Sequence, residues 1–410
     1  MTDSREGLIY DWNTVDGARK PPFRIEFDDE TLRDGLQSPS VTNPTIDEKL
    51  RIFHLMERLG IDACDIALPG AGPHAAAHAE RLAREKVAAK MKIQISCAAR
   101  TVKTDIEPIA EISQKVGIPI VADVFIGSSP IRQYVEGWDL GTMVRHTREA
   151  VDFCRANNLP CMYVTEDTTR ADPKALEILY SEAIGHGASM ICLCDTVGHA
   201  TPEGARSLVS WAKRLVDRLN PEVKINWHGH SDRNLAIPNT IAAIEAGAQR
   251  VHATALGIGE RVGNTAMDLL LVNLKLLGWI DRDLRALPEY VREVSRACKV
   301  PVPRNYPVFG EDAFETGTGV HAAAVIKAFK KNDTWLANRV YSGVPADEFG
   351  LEQRIRVGPM SGRSNVVFWL EKNGYGASDD LVTRLFNAAK KTNHVFSDEE
   401  LHALARGIVE

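Results

Sequence analysis

Short apolar or β-branched runs alternate with helix-spaced patterns over the first two thirds of the chain. Eight such runs fall between residues 23 and 256: Phe23–Phe27, Asp62–Leu68, Lys92–Cys97, Ile118–Ile126, Cys161–Thr165, Met190–Cys194, Val223–His228 and Arg250–Leu256. Each has the length and side-chain type of a buried strand, and apolar positions at helical spacing separate them. Thr45-Ile46-Asp47-Glu48 is a capping box, followed by Leu50, Phe53 and Met56 on one helical face and closed by Gly60. Thr201-Pro202-Glu203 opens another helix with a cap residue and proline at the first helical position, and Ala236–Ala246 is a third, closed by Gly247. Eight strand-then-helix units predict an α/β fold, a (β/α)8 TIM barrel over 23–290, which matches the roughly 250 residues such barrels occupy. A doubly wound open sheet would usually carry a glycine-rich phosphate turn after the first strand, and none is present.

After about residue 290 the alternation stops. Val300-Pro301-Val302-Pro303 and Asn305-Tyr306-Pro307 read as an irregular linker arm over 291–345, with a helix around Val320–Phe329. From 346 to 410 a loop leads into a small, mainly α-helical C-terminal region with helices at Asn365–Lys372, Ser378–Lys391 and Ser397–Ile408. Residues 1–22 form a separate N-terminal segment. Prolines 301, 303 and 307 stiffen the arm, and Val320, Val325, Ile326 and Phe329 form an apolar stripe expected to need a partner surface.

Composition narrows the setting. Of 410 residues, 44% are hydrophobic and 25% charged, with a formal net charge of -6. This is an ordinary globular balance, and without a basic run nucleic-acid binding has no electrostatic support. No 18-residue apolar run exists and Met1–Gly7 lacks the apolar core of a signal peptide, so neither a membrane span nor export is expected. Seven scattered cysteines fit reduced thiols in a cytoplasmic protein. Cys192 and Cys194 form C-x-C, a spacing that can bind metal and is also that of two inert residues on one face of a buried strand.

Chemistry-bearing residues collect where the predicted strands end, which in such a barrel is the active-site face. Thr31-Leu32-Arg33-Asp34-Gly35-Leu36-Gln37 follows the first strand, Glu166-Asp167-Thr168-Thr169-Arg170 the fifth and Asp195-Thr196-Val197-Gly198 the sixth. His228-Gly229-His230 closes the seventh, and Gly257-Ile258-Gly259-Glu260-Arg261-Val262-Gly263-Asn264 follows the eighth. His228 and His230, at i and i+2, point to one side of an extended segment and with Asp34 make a two-histidine, one-carboxylate set for a divalent metal: Mg²⁺, Mn²⁺ and Zn²⁺ are all compatible. Such a set leaves positions open for the carboxylate and keto oxygens of a 2-oxo acid. Arg33 can polarise that keto oxygen, or form a structural ion pair. Glu166 suits a base, or a helix cap or partner for Arg170. Thr196 suits a carboxylate contact or a helix cap, and Asn264 a further metal ligand or a helix N-cap.

These motifs resemble the enzymes that join an acyl-CoA to a 2-oxo acid by Claisen condensation: the 2-isopropylmalate, homocitrate and citramalate synthases. Leu32-Arg33-Asp34-Gly35-x-Gln37, His228-x-His230-x-Asp232 and Gly257-Ile258-Gly259-Glu260-Arg261-x-Gly263-Asn264 carry the likeness, which extends from about residue 23 to the end. Ala313-Phe314 followed by Gly319-Val320-His321 is similar to the family's segment that brings a catalytic histidine to the neighbouring protomer's site. The resemblance implies an amino-acid-biosynthetic acyltransferase: metal on Asp34, His228 and His230, acetyl-CoA as cosubstrate, Arg33 on the keto group, Thr196 on the carboxylate, Glu166 and His321 as acid and base, and a homodimer with shared active sites. Arg132, after Ser129-Pro130-Ile131, stands where many relatives have histidine and is a candidate partner for a substrate carboxylate. The leucine-regulated members continue into a further domain, so that form of feedback is not expected here.

The 2-isopropylmalate synthase type is the leading expectation, with homocitrate or citramalate synthase as alternatives. Met162 occupies the position four before the strand-5 glutamate where homocitrate synthases hold a second carboxylate with arginine, while Leu256 and the Gly-Val-His-Ala run lean toward them. Arg33-Asp34-Gly35-Leu36-Gln37 also resembles hydroxymethylglutaryl-CoA lyases, but those carry a cysteine in the loop after strand 8, and 257–264 has none. An inactive metal-binding interaction module is the non-enzymatic alternative.

Overall fold

A computed structural model describes residues 5, 7–15 and 20–407. Residues 1–4, 6 and 16–19 of the N-terminal segment 1–22, and Ile408 of the last expected helix, lie outside the described residues. The chain divides into two compact units, 1–283 with 289–301, and 284–288 with 302–410.

The first unit is a closed barrel of eight parallel strands in chain order. They are β1 (Glu26–Asp29), β2 (Ala63–Asp65), β3 (Gln94–Arg100), β4 (Val121–Gly127), β5 (Cys161–Glu166), β6 (Met190–Asp195), β7 (Lys224–Gly229) and β8 (Arg250–Ala253). Every strand falls on or beside one of the apolar runs, and the ring closes where β1 pairs with β8, Asp28 opposite His252. Helices Ile46–Arg58, Pro73–Ala88, Lys103–Val116, Leu140–Ala156, Pro173–His186, Pro202–Leu219, Ala236–Ala246 and Met267–Leu276 follow the eight strands in turn. The Thr45 capping box forms, with the Glu48 N–H on the threonine hydroxyl and the Glu48 carboxylate back on the Thr45 N–H. Thr201 caps its helix ahead of Pro202, and Gly247 ends Ala236–Ala246 at φ 120°, a left-handed angle that only glycine adopts freely. A further short helix, Pro130–Glu136, is inserted after β4.

Period-2 alternation decides what fills the barrel. Phe27, Ile95, Ile225 and Trp227 pack outward and are buried under the helices. Asp28, Asp123, Asn226 and His252, also buried, belong to the alternate set. Residues 291–301, which the sequence reading gives to the arm, cluster with the barrel, because helix Leu287–Cys298 runs through position 290.

The second unit has a two-residue parallel pairing, Glu315–Thr316 with Arg354–Ile355, too short to read from sequence. Helix Gly319–Lys330 packs on Arg363–Lys372. The last three helices, Arg363–Lys372, Asp379–Lys391 and Asp398–Arg406, share a core of Val366, Trp369, Leu370, Val382, Leu385, Leu401 and Leu404. The expected stripe on 320–329 resolves differently from the reading above. Val325 and Ile326 are buried against Ile355, and Phe329 stacks on Phe368, so three of its four members find partners inside their own unit. Only Val320 remains well exposed, at 81%.

Candidate active site

The C-terminal strand ends surround a cavity of about 210 Å³. Its lining includes Arg33, Asp34, Glu166, Thr196, His228 and His230, six of the residues singled out above. Asp34 opens a short 3-10 turn, Asp34–Gln37, right after β1, and Gly35 there is packed closely under Ile258. His228 is the last residue but one of β7 and His230 follows it by two, so both rings face the same space. Asp34 Oδ2 lies 3.5 Å from His228 Nε2 and 3.6 Å from His230 Nε2, and the two Nε2 atoms are 3.1 Å apart. Ligands about 2.1 Å from one divalent ion are separated by roughly 3.0 to 3.5 Å. The donor set therefore fits a single cation.

A second cluster, Glu30, His228 and His252, also brings its ligand atoms within 4.8 Å of one another, but its hydrogen bonds give it another role. Glu30 Oε2 is 2.8 Å from His228 Nδ1, and Glu30 Oε1 meets His252 Nδ1 at 2.9 Å and Arg33 Nη2 at 2.8 Å. With Nδ1–H directed at Glu30, it is the Nε2 of His228 that faces Asp34 and His230, the carboxylate–histidine arrangement that orients a metal ligand. Burial disfavours charge on His228, yet Glu30 outweighs it and pushes the imidazole up to about 10; burial and the neighbouring His228 hold His230 down to about 4. Two adjacent buried imidazoles thus resist carrying two protons, while Asp28, Glu30, Asp34, Asp65 and Asp123 crowd the interior. A divalent cation would offset that excess of buried carboxylates, whose desolvation is otherwise costly.

Arg33 makes ion pairs, and they aim it. Its Nε donates to Asp65 Oδ2 at 2.6 Å and its Nη2 to Glu30 Oε1 at 2.8 Å, leaving Nη1, 3.5 Å from Asp34 Oδ1, with donors to spare. The planar guanidinium is thereby fixed at two corners.

Asn264 caps no helix; the helix that follows is entered through Ala266. Its Nδ2 donates to Asp34 Oδ2 over 2.5 Å, and its buried Oδ1 has no partner. In this rotamer it supports a ligand oxygen, and exchanging the amide O and N would turn the oxygen to the same place. The glycine-rich loop exists to bring it there. A Cβ on Gly259 would meet Asn264 Oδ1 at 2.0 Å, and one on Gly263 would meet the Gly257 carbonyl at 1.8 Å. Arg261 closes the loop onto Asp232 at 2.8 Å and the Thr196 carbonyl at 2.6 Å.

Thr196 likewise caps no helix. Its hydroxyl oxygen accepts the Asp167 N–H at 2.8 Å, which leaves its own O–H free to donate. Asp167 needs that tether, since it sits at φ 59° beyond β5. Arg170 pairs with Asp167 and not with Glu166. Glu166 faces Arg132 at 3.7 Å; burial raises its pKa above the ordinary carboxylate value despite Arg132 and Arg33. Arg132, half exposed, also meets Glu136 at 3.2 Å, and Gly127 leaves it room, because a Cβ there would lie 2.8 Å from Arg132 Nε. Arg132 is not among the described lining of the cavity. His321 belongs to the second unit, on helix Gly319–Lys330, stacked on Tyr341 with centroids 4.0 Å apart.

Sequence reasoning missed Glu30, Asp65 and His252. The available signal was the alternation of β1, in which Glu26, Asp28 and Glu30 fall on one face of a strand otherwise reading as core.

An HMGL-like family model matches residues 24–293. The chain is 30% identical to homocitrate synthase AksA of Methanopyrus kandleri over 95% of its own length and 94% of that protein's. It is 29% identical to (R)-citramalate synthase CimA of Methanocaldococcus jannaschii, covering 94% and 74%, and 31% identical to 2-isopropylmalate synthase of Pyrococcus furiosus, covering 90% and 72%. The crystal structure of hydroxymethylglutaryl-CoA lyase from Pseudomonas aeruginosa shares the fold, with TM-score 0.56 and 18% identity over 68% of this chain and 94% of that one. Barrel, strand-end chemistry and matched sequence agree, and the chain belongs to the HMGL-like family.

Proposed function

We propose that this protein condenses acetyl-CoA with a small 2-oxo acid bearing an apolar side chain, in the manner of a 2-isopropylmalate synthase, and releases CoA. The observation that carries the reading is the pairing, in one cavity of about 210 Å³, of the Asp34–His228–His230 trio and the aimed Arg33 with a wall of Leu68, Ala98, Phe125, Met162 and Val164. A cavity that size suits a ligand well below drug size. Arg33 is the one arginine or lysine in its described lining, which leaves no cationic partner on the wall for a second carboxylate.

A divalent ion on Asp34, His228 and His230 would supply Lewis acidity toward the keto and carboxylate oxygens. Arg33 Nη1 donates to the keto oxygen and stabilises the alkoxide that develops when the new carbon–carbon bond forms. Thr196 O–H donates to the substrate carboxylate. A base removes a proton from the acetyl methyl group, the resulting carbanion equivalent attacks the keto carbon, and water then cleaves the thioester to release CoA. Glu166, with its raised pKa, and His321 are the acid/base candidates.

His321 would act across a homodimer, each site being completed by the second copy. Support comes from its surroundings: Val320 and Met360 are exposed, and the backbone holds them together through the Gly319 N–H on the Met360 carbonyl. His321→Ala and Asp34→Ala chains, each inactive alone, should regain up to about half the activity when mixed as heterodimers. Heterodimers without recovery overturn the shared site.

A panel of 2-oxo acids scored by CoA release tests the reaction. Branched or short apolar 2-oxo acids should turn over best, with pyruvate marking the citramalate alternative. Preference for 2-oxoglutarate would overturn the apolar-wall reading in favour of homocitrate synthesis. No release with any acid, together with cleavage of hydroxymethylglutaryl-CoA, would establish a lyase; neither activity would leave a binding module. Among the described residues no helix is long and apolar enough to cross a membrane.

A further inference from the structure

We propose that Cys192 and Cys194 form a second, soft-metal site on the cavity wall, a bidentate dithiolate for a thiophilic divalent cation such as cadmium or excess zinc. The two thiols are alternate residues of β6, so both point to the barrel interior, and both line the cavity. Their sulfurs are 3.8 Å apart. Two thiolates bound tetrahedrally to zinc at about 2.3 Å each are separated by about 3.8 Å, so the pair already stands at the bite of a zinc dithiolate.

Disulfide formation is the competing fate of such a pair, and the strand opposes it. Alternate residues of an extended strand are about 6.6 Å apart at Cα, near the upper end of what a disulfide spans. Closing the sulfurs to about 2.0 Å would pucker β6, which is paired along its length with β5 and β7. A bridging cation needs no such movement. The thioethers of Met162 and Met190 are soft as well, and with Val121 and Val164 they pack around the two thiols. The other five cysteines are buried and line none of this cavity. The binding step is a proton exchange without electron transfer. Two S–H bonds break, two metal–sulfur bonds form, and two protons leave to solvent for each cation bound. Water in the cavity completes the coordination. Cys194 lies opposite His228 in the β6–β7 register, so the site adjoins the Asp34–His228–His230 trio without sharing a ligand.

The inference rests on the cavity geometry and not on the proposed reaction. Cadmium chloride alone, titrated into the purified full-length chain, should produce the ultraviolet thiolate-to-cadmium charge-transfer band at one equivalent per chain. Cys192→Ser and Cys194→Ser should each abolish the band, and Asp34→Ala, which removes a ligand of the first site, should keep it. No band in the native chain, or a band that survives in the double serine variant, overturns the proposal. Crystals of the native chain soaked in zinc decide the matter independently of whether the variants fold. An anomalous peak about 2.3 Å from both sulfurs upholds the site, and zinc on the histidines with none between the sulfurs overturns it.

Discussion

The two halves of the barrel lining are built from the same strands and follow opposite chemistry. From β7 through β8 and β1 to β2, the interior carries His228, His252, Glu30, Arg33, Asp34 and Asp65, joined by hydrogen bonds. From β4 to β6 it carries Phe125, Met162, Val164, Cys192 and Cys194, held by packing and a single thiol–thiol contact, with Asp123 the one buried carboxylate among them. In the first half the side chains are tied to one another by ion pairs and hydrogen bonds, so one substitution leaves a buried charge uncompensated, which typically costs several kcal/mol. At the hydrocarbon positions of the second half, Phe125 and Val164, a substitution changes shape and little else. The proposed chemistry divides the same way: the polar half activates the keto acid, and the apolar half measures its side chain.

The sharpest way to break this division is Asp34→Ala. It removes one of three candidate ligands and the acceptor of Asn264. Turnover should fall below detection and divalent-metal content, measured on the purified protein, should fall with it. Unchanged metal content and rate would show that the polar half has been misread.

Glu166 is, with Asp123, a carboxylate on the apolar side; it stands at the mouth end of β5 and tests where the base resides. Because its folded pKa is raised, it is protonated and idle at low pH and gains its basic form as pH rises. Glu166→Gln should lower kcat by about 10² to 10⁴ and abolish the acid limb of the pH profile. A variant that keeps that limb at full rate assigns the base to His321.

Arg33→Lys keeps the charge and loses the fork fixed by Glu30 and Asp65. A drop of about 10² to 10³ in kcat is expected for loss of an aimed oxyanion donor. A rate within about threefold of the native enzyme would make Arg33 a structural ion pair and nothing more.

Much of this arrangement was legible in the sequence, and its limits have a physical origin. Period-2 runs and helix caps located all eight strands, because each signal is local. Arg33, Asp34, Glu166, Thr196, His228 and His230 were visible as groups at strand ends, a position that the barrel fold turns into a common cavity. Glu30 was not, since its meaning depends on His252, 222 positions away, and on a register that only the closed ring sets. The stripe at 320–329 failed for a related reason. Helical spacing shows that Val325, Ile326 and Phe329 need a partner and says nothing of which; the partners are Ile355 and Phe368 of the same unit.

Glu30→Gln probes that invisible support. It keeps the shape and removes the charge that holds Arg33, His228 and His252 together. Loss of such an orienting carboxylate typically costs about 10- to 100-fold in metal affinity or activity. Both readouts should move, metal affinity through His228 and kcat through Arg33, whereas a purely structural residue would lower thermal stability and leave the affinity of the folded protein intact.

Val164→Ala is the mildest test and bears on the other half. Val164 lies on the cavity wall between Met162 and Glu166 on β5, without a hydrogen bond to lose. Shortening it enlarges the space for the substrate's side chain, and a change of that order in an apolar pocket is worth about 1 kcal/mol, roughly fivefold in kcat/KM between two 2-oxo acids that differ by a methylene. The longer acid should gain relative to the shorter, while metal content and the pH profile stay as they were. If instead metal binding shifts and selectivity does not, the apolar wall is coupled to the polar network, and the separation of measuring from activating no longer holds.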